Sequence, residues 1–313
     1  MKNNVSIKKI TRSEMVASIT KSGYLMEQRI FPVIESKEFY VETNPVFPDQ
    51  ITGKSREYDF SAIYVESLYK EEFNLLYTHI IGECINNLQP IVFFTSDSPI
   101  DFLNCMDLKC SGIPLYFPDK QIESEFVSLQ DFFRFDKFHH YCKGTFSTQY
   151  CSFRKKKGKK EEWLAWHDDE HHGLFNNLIG ATRYEVEEDF SSWFLPEKDE
   201  EEQVGIHLYY PLLIVRDDLY ECQQLRGKPS LKKRKHIQFR KSLIFDNAQD
   251  TYQIDVIVES FLKKYIDILL KESKLIKSRL QRKKKDVKHS LDIIVSKAKK
   301  DKKLENFREI LEF

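Results

Sequence analysis

The sequence predicts an α/β protein in which helices flank a mixed sheet, followed by a second α+β part that ends in a long helix. Three observations support this fold class. An apolar pattern at helical spacing comes first, several short apolar runs typical of strands follow it, and a long amphipathic stretch lies near the carboxyl end. With 313 residues, 41% hydrophobic residues and 24 Phe, the chain can bury a substantial core.

The amino-terminal third is predicted to begin with a helix and to continue with strands. Residues 13–36 form the helix, because Leu25, Met26, Ile30, Val33 and Ile34 recur at helical spacing, and Pro32 indicates a kink or a helix start nearby. Strands are predicted at 38–46, 56–65, 75–85 and 91–95, with a Pro/Asp/Gly-rich turn region at 47–55.

The remainder of the chain alternates charged stretches with apolar runs. A strand is predicted at 113–117, a helix at 129–138, a strand pair at 204–215 and 236–245, and a helix at 259–285. The Lys-rich segment 286–313 is compatible with helix. These predictions divide the chain into a core at 1–150, a charged insertion or linker lobe at 151–203, and a strand pair with a helical region at 204–313.

Composition limits the cellular setting more than it limits the function. Lys+Arg and Asp+Glu balance at 49 each, so charge blocks rather than net charge indicate partners. Six cysteines at irregular positions do not resemble a disulfide framework, and the beginning of the sequence lacks the apolar region of a signal peptide. Since no run of about 18 apolar residues is present, we expect a reduced, cytoplasmic protein without a membrane partner.

Two acidic residues lie at the ends of neighbouring predicted strands. Asp59 falls on the second strand and Glu83 on the third. An acid in a buried strand is costly unless it is paired, hydrogen-bonded or bound to a metal. If the strands are adjacent, both carboxylates can converge on one Mg²⁺, with Mn²⁺ as a substitute. The alternative is a turn-capping Asp and a strand-end Glu paired with Arg56.

Glu27 is a further candidate ligand on the predicted first helix. It shares a helical face with Ile30 and Ile34, so its carboxylate is directed inward or lies at the edge of the buried face. In that position it can bind the metal or orient a metal-bound water. The alternative is a boundary residue paired with Arg29.

These residues resemble the PD-(D/E)XK nuclease superfamily, which has the restriction-endonuclease-like fold. The resemblance rests on a helix with Glu27, a strand, the segment Gly53-Lys54-Ser55-Arg56-Glu57-Tyr58-Asp59, and a strand ending in Glu83-Cys84-Ile85-Asn86. It covers about residues 20–95. It implies Mg²⁺-dependent hydrolysis of DNA, with Asp59 and Glu83 as the metal-binding acids, assisted by Glu27. It also implies a role in bacterial restriction or phage defence.

The sequence departs from the superfamily at Ile85, where the motif has a Lys two residues after the Glu. That ammonium would reach the attacking water or the scissile phosphate, and Ile cannot. Lys54, in the turn before Asp59, is the leading substitute, and Lys37 is another. Asn87 can orient water but carries no charge. Alternatively, the protein is a catalytically inactive nuclease-like subunit that binds DNA or protein.

Two basic blocks, 154–160 and 228–241, are predicted to contact the DNA backbone, since non-specific affinity for nucleic acid comes mainly from Lys and Arg. The alternative for either block is a solvated loop. The acidic stretch 185–202 is expected to be exposed. No P-loop is present in the sequence, so an ATP-driven step would need a separate ATPase or another defence-system subunit. The predicted DNA-contacting residues are Arg56, Lys155, Lys156, Lys157, Lys232, Lys233 and Arg234.

The middle of the chain is rich in His and Cys, but its spacing does not fit a structural Zn²⁺ site. No Cys-x₂-Cys pair occurs, and His167 and His171 lack the order of a His-Glu-x-x-His motif. A solvated polar helix or loop is favoured over structural zinc. The residues with zinc-binding atoms are His139, His140, Cys142, Cys151, His167, His171 and His172.

Overall fold

The apolar runs of the sequence form one large mixed sheet, and helices pack on both of its faces. The computed structural model describes residues 9–49, 53–68, 74–95, 108–118, 126–156, 162–167, 169–194, 204–225, 227–245 and 247–290. The helices are α1 (Arg12–Lys21), α2 (Tyr24–Glu35), α3 (Leu129–Phe132), α4 (Asp169–Phe194) and α5 (Leu262–Arg282). The predicted α/β class, with a large mixed sheet and a long carboxyl-terminal helix, is confirmed.

The strands in chain order are β1 (Tyr40–Thr43), β2 (Val46–Pro48), β3 (Ser55–Glu57), β4 (Phe60–Ser67), β5 (Asn74–Ile85), β6 (Ile91–Thr95), β7 (Lys109–Ser111), β8 (Tyr116–Pro118), β9 (Phe126–Ser128), β10 (Phe146–Lys156), β11 (Glu162–Trp166), β12 (Val204–Val215), β13 (Leu219–Leu225), β14 (Lys228–Lys233), β15 (His236–Phe245) and β16 (Ala248–Val258). Among the described helices, none combines the length and apolar content that a membrane span requires.

Within the described residues the large sheet has 12 strands. Its order is β1-β4-β5-β12-β16-β15-β10-β6-β13-β14, with β11 paired to β10 and β7 paired to β12. Strand β4 runs antiparallel to β1 and β5, whereas β12 runs parallel to both β5 and β16. Strands from all three predicted segments, 1–150, 151–203 and 204–313, therefore lie side by side in one sheet.

The two faces of the sheet bury different apolar clusters. Helices α2 and α5 cover one face, where Met26, Ile30 and Ile34 of α2 are fully buried. Of the other two residues in the predicted apolar pattern, Val33 is half-buried and Leu25 is exposed. Helix α4 covers the opposite face and buries Phe175 and Leu178 against the sheet. Each such side chain contributes about 1.5–3 kcal/mol when it is fully buried. The helices are thus fixed on the sheet by apolar contacts that also determine where their polar residues lie.

Several predicted elements differ from the structure near the amino terminus. The helix predicted at 13–36 is two helices, because Ser22 closes α1 and Gly23 begins α2. The predicted turn region 47–55 contains the end of β2 and the start of β3, which pair with each other as a separate two-stranded sheet. Around the turn between them Gly53 has a φ of 66°, a left-handed conformation that Gly adopts without strain.

Differences later in the chain have two physical causes. The helix predicted at 129–138 ends after α3 because Arg134 has a φ of 56° and interrupts it before a 3₁₀ turn. The strand predicted at 113–117 is observed as β8, somewhat later. The predicted pairing of 204–215 with 236–245 is wrong, because β16 lies between β12 and β15. Residues 291–313 of the Lys-rich segment lie outside the described residues.

Candidate functional site

Asp59 and Glu83 lie opposite each other where β4 begins and β5 ends. Phe60 pairs with Gly82, so the residue before Phe60 faces the residue after Gly82 on the same side of the antiparallel pair. The Phe60 ring packs directly on Gly82, since a Cβ atom on Gly82 would lie 2.0 Å from Cζ of Phe60. The carboxyl groups of Asp59 and Glu83 form a hydrogen bond in which Glu83 donates. The two acids predicted from strand parity therefore meet.

These two carboxyls and Glu27 form a group of three acids at one end of the sheet. Burial, and then the negative charge of Asp59, raise the pKa of Glu83 to about 8. Burial also raises the pKa of Asp59, and burial together with the charge of Asp59 raises that of Glu27. Two carboxylates that share a site titrate as a pair and retain a proton. Between described residues, no Lys or Arg forms an ion pair with any of the three.

Two neutral groups hold the acids in place. The backbone N–H of Cys84 donates to Oδ2 of Asp59 at 2.7 Å. From α4, the side-chain amide of Asn177 donates to Oε1 of Glu83 at 2.6 Å and to the carbonyl oxygen of Glu57 at 2.7 Å. Asn177 was not predicted from the sequence. The sequence signal that could have identified Asn177 is its position next to the buried apolar residues of α4, on the side of the helix that faces the sheet.

The residues proposed to replace the missing Lys have other surroundings. Lys54 is exposed, in the turn before β3. Lys37 forms an ion pair with Asp267 of α5 at 2.5 Å. The side-chain amide of Asn87 donates to the Asp217 carbonyl at 2.8 Å, so Asn87 connects the ends of β5 and β12.

Ile85 lies two residues after Glu83 on the same face and packs against the apolar cluster beneath α4. Where the motif places a cation, this chain therefore has a hydrocarbon side chain.

The alternative partners considered for the acids are engaged elsewhere. Arg29 forms two hydrogen bonds with Glu259, at 2.7 and 2.8 Å, and is not paired with Glu27. Arg56 pairs with Asp49 and is not paired with Asp59 or Glu83. The acids are thus held by each other and by neutral donors.

The first basic block begins in β10. Lys155 lies with its Nζ 5.6 Å from the centre of the Trp163 ring on the paired strand β11, and Lys156 is exposed. Lys157 lies outside the described residues. Stacked aromatic and basic side chains of this kind are compatible with contact to a phosphate backbone and bases.

The second basic block is partly neutralised by nearby acids. Lys232 is exposed on β14. Lys233 pairs with Asp218 at 2.9 Å, and Arg234 pairs with the buried Glu221 at 2.5 Å. Lys233 and Arg234 therefore already have carboxylate partners within the protein.

The acidic stretch 185–202 begins at the interface of α4 with the sheet rather than in solvent. Glu185 accepts a hydrogen bond from the hydroxyl of Tyr58 at 2.7 Å, and Asp189 accepts one from Tyr209 at 2.5 Å. Its expected exposure is therefore wrong for these two residues. The side chains from 190 onward lie outside the described residues.

A second set of ionisable residues is buried beneath α5. Glu272 and Asp255 contact the two ring nitrogens of His140 at 2.6 and 2.9 Å. Burial alone would lower the pKa of His140, but the two carboxylates outweigh it and raise the pKa to about 10. Because a protonated imidazole has no free lone pair, this arrangement is a buried ion network around an imidazolium.

His139 also belongs to this network, because its Nε2 lies 3.7 Å from a carboxylate oxygen of Glu272. His139 and His140 are both buried, so the expected solvated helix or loop is wrong for them. His167 packs against Tyr150, with ring centres 4.5 Å apart and ring planes tilted by 44°. Cys151 is a free thiol, whereas Cys142 is disulfide-bonded, contrary to the expectation of reduced cysteines. The side chains of His171 and His172 lie outside the described residues.

Comparisons with protein-family models, with curated proteins and with solved structures find no match to this chain.

Proposed function

We propose that this protein is a divalent-metal-dependent nuclease that hydrolyses DNA phosphodiester bonds, with Mg²⁺ or Mn²⁺ at Asp59 and Glu83. One observation carries the proposal: a buried and a half-buried carboxyl, Glu83 and Asp59, meet at the ends of adjacent strands and have no basic ion-pair partner among the described residues. Burial and their mutual repulsion raise the pKa of Glu83, so the pair retains a proton. Such a pair is destabilised by its own charge unless a proton or a cation lies between the oxygens. A divalent cation satisfies both oxygens when the proton leaves.

The donor set fits Mg²⁺, which prefers carboxylate oxygens and keeps water or phosphate oxygens in its remaining positions. A bound ion would supply a water of lowered pKa and neutralise charge on the phosphodiester. The chain itself fixes the ligands. Cys84 holds Asp59 through its N–H, Asn177 holds Glu83, and Glu27 on α2 adds a third carboxylate at the same end of the sheet.

The order of elements supports a restriction-endonuclease-like core. Helix α2 carries Glu27, β1 follows, Asp59 immediately precedes β4, and Glu83 lies near the end of β5. This is the order on which the resemblance to the PD-(D/E)XK superfamily rests. A role in restriction or phage defence, with a separate ATPase or other subunit, extends the proposal by that resemblance alone.

A second candidate function is that of a catalytically inactive nuclease-like subunit that binds DNA or protein. The specific observation in its favour is Ile85, which packs in the apolar cluster where the motif Lys would stand. Arg216 follows β12, next to the end of β5, and its guanidinium donates to Oδ1 of Asn86 at 3.3 Å. It is a further cation at this end of the sheet that can be tested beside Lys54.

Cleavage of supercoiled plasmid in Mg²⁺ or Mn²⁺ tests the proposal. We expect Asp59→Asn and Glu83→Gln to reduce the rate by about 100-fold or more, because each removes a charged metal ligand. Glu35→Gln is the matched control, since Glu35 is an exposed carboxylate on α2. Cleavage that survives both ligand substitutions would exclude this site as the catalytic centre.

Ile85→Lys separates the two candidate functions. An inactive subunit that binds DNA in a salt-sensitive manner should gain metal-dependent cleavage when this Lys is restored. An active wild type should instead lose activity in Lys54→Ala or Arg216→Ala, whichever supplies the cation. A wild type that neither cleaves nor binds DNA would contradict both DNA-directed functions.

A further inference from the structure

Three ligand atoms converge at a second place beneath α4, apart from the acidic site. His79 Nε2 lies 2.9 Å from His207 Nδ1, and Oδ2 of Asp189 lies 3.1 Å from His207 Nδ1 and 3.8 Å from His79 Nε2. The three atoms all lie within 4.8 Å of one another. For ligands at Zn–N and Zn–O bond lengths near 2.05 Å, tetrahedral geometry places neighbouring ligand atoms about 3.3 Å apart. The observed separations bracket that value.

Secondary structure brings these residues together from distant parts of the sequence. His79 on β5 and His207 on β12 are neighbours because the two strands pair in parallel, with Tyr77 opposite His207 and His79 opposite Tyr209. Asp189 reaches them from the distal half of α4. His79 is four residues before Glu83 on the same face, so the cluster lies about 13 Å along the strand from the acidic pair.

Neighbouring side chains fix the orientation of the cluster. The Tyr77 ring stacks on His207 with ring centres 4.3 Å apart. The Tyr209 hydroxyl donates to Asp189 at 2.5 Å, as outer hydrogen-bond partners of metal ligands do. Gly205 leaves room for the His207 ring, since a Cβ at that position would lie 2.8 Å from Nε2.

Hydrogen bonds among the described residues do not satisfy both nitrogens of the His79 ring. His79 is 3% exposed, and its other nitrogen, Nδ1, has no hydrogen-bond partner among the described residues. With both rings neutral, only one N–H proton fits between the two imidazoles. If His207 holds it, its N–H is divided between His79 Nε2 and the Asp189 oxygen, and His79 carries its own proton on Nδ1, which has no acceptor among the described residues. If His79 holds it, the lone pair of His207 faces an Asp189 oxygen.

We propose that His79, His207 and Asp189 form a Zn²⁺ site that fastens α4 to β5 and β12. Two imidazole nitrogens and one carboxylate oxygen are a donor set of the zinc class, with a fourth position available to water. His207 and Asp189 are 15% and 28% exposed, which gives the ion a path from solvent. The site does not depend on the nuclease proposal, because none of its ligands belongs to the acidic group.

Metal binding to the full-length, untagged protein tests this site. Metal-free protein is titrated with Co²⁺ or with Zn²⁺, each in the presence of excess Mg²⁺. Co²⁺ binding is measured by visible absorption, and Zn²⁺ binding by the zinc content of the protein after gel filtration. We expect one equivalent to bind, with the strong visible bands of four-coordinate Co²⁺. His207→Ala should weaken binding by at least about 100-fold, since loss of an outer hydrogen-bond partner alone costs about 10- to 100-fold. Tyr209→Phe should weaken it by about 10-fold.

Controls assign the binding to this cluster. His289→Ala removes an exposed His and should bind as the wild type does. Glu272→Gln disrupts the His140 network, and Asp59→Asn the acidic site; both should retain the Zn²⁺. If His207→Ala is misfolded by circular dichroism, Asp189→Asn replaces it, because Asn can still accept the Tyr209 hydrogen bond.

Four outcomes would overturn the proposal. They are no stoichiometric binding by the wild type, undiminished binding by both folded ligand variants, loss of binding in Glu272→Gln, and loss of binding in Asp59→Asn. The last two outcomes would show that the ion binds at the His140 network or at the acidic site instead.

Discussion

Glu83→Gln should change how the stability of the protein depends on pH. In the wild type, protonated Glu83 donates to Asp59 and accepts from Asn177. A Gln side chain reproduces both contacts, because its amide donates where the carboxyl O–H did and its oxygen accepts from Asn177. The substitution therefore removes the titration while retaining the hydrogen bonds of the protonated form.

The size of the effect follows from the pKa of Glu83. The unfolded chain releases this proton near the ordinary value of 4.5, whereas the folded protein holds it up to about 8. The folded state thus binds more protons between these values, and the stabilisation is present below pH 4.5 and is lost as pH rises through 8. For one independent group the difference corresponds to roughly 5 kcal/mol. Because Asp59 shares the proton, we expect at least about 2 kcal/mol.

Urea unfolding at pH 5 and pH 8.5 measures this pH-dependent contribution of Glu83 to the unfolding free energy. From pH 5 to pH 8.5 the unfolding free energy of the wild type should fall more than that of Glu83→Gln. At pH 8.5, added Mg²⁺ should raise the unfolding free energy of the wild type but not that of Glu83→Gln. Glu35→Gln, which removes an exposed carboxylate, should follow the wild type. Parallel pH profiles for the wild type and Glu83→Gln would refute a shared buried proton at this site.

Three further predictions concern two substitutions and the protonation state of His140. Gly82→Ala drives a Cβ into the ring of Phe60 and should cost about 1–3 kcal/mol or more, so an unchanged urea midpoint would contradict the register described. Asn177→Ala removes a hydrogen bond that lowers the pKa of Glu83, so a ¹³C carboxyl titration should move to higher pH, and an unmoved titration would count against that contact. His140 should remain an imidazolium at pH 8, with a stabilisation that is complete below 6.5 and lost as pH rises through about 10. Nitrogen-15 shifts of a neutral ring at pH 8 would refute this.

The acidic pair could be predicted from the sequence because it depends on local rules. Side chains alternate with a strict period of two, and β4 and β5 follow each other in the chain, so parity predicts that Asp59 and Glu83 can meet if the two strands pair. The observed register, with Phe60 opposite Gly82, brings them together. Glu27 was likewise identified from the helical spacing of its apolar neighbours. These inferences need no knowledge of how distant segments pair.

The partners of that pair could not be predicted because they come from distant segments. The charged composition of 151–203 obscures the stripe Phe175, Leu178, Thr182 and Val186, which buries α4 on the sheet and brings Asn177 to Glu83. His79 lies inside an apolar run whose pattern indicates only a buried strand. The parallel pairing of β12 with β5 and β16 follows from apolar residues on both of its faces, a pattern that does not specify its neighbours.

The central position of β12 has a consequence for how the protein folds. The β4–β5 hairpin can form early, because its strands are close in sequence, and it brings Asp59 and Glu83 together by itself. Strand β12 must then join β5, with α4 docked across both, before Asn177 can orient Glu83. Such long-range parallel pairing is slow. A fragment that ends at residue 150 would hold the two acids without Asn177, so an assembled site would report that α4 has docked on the sheet.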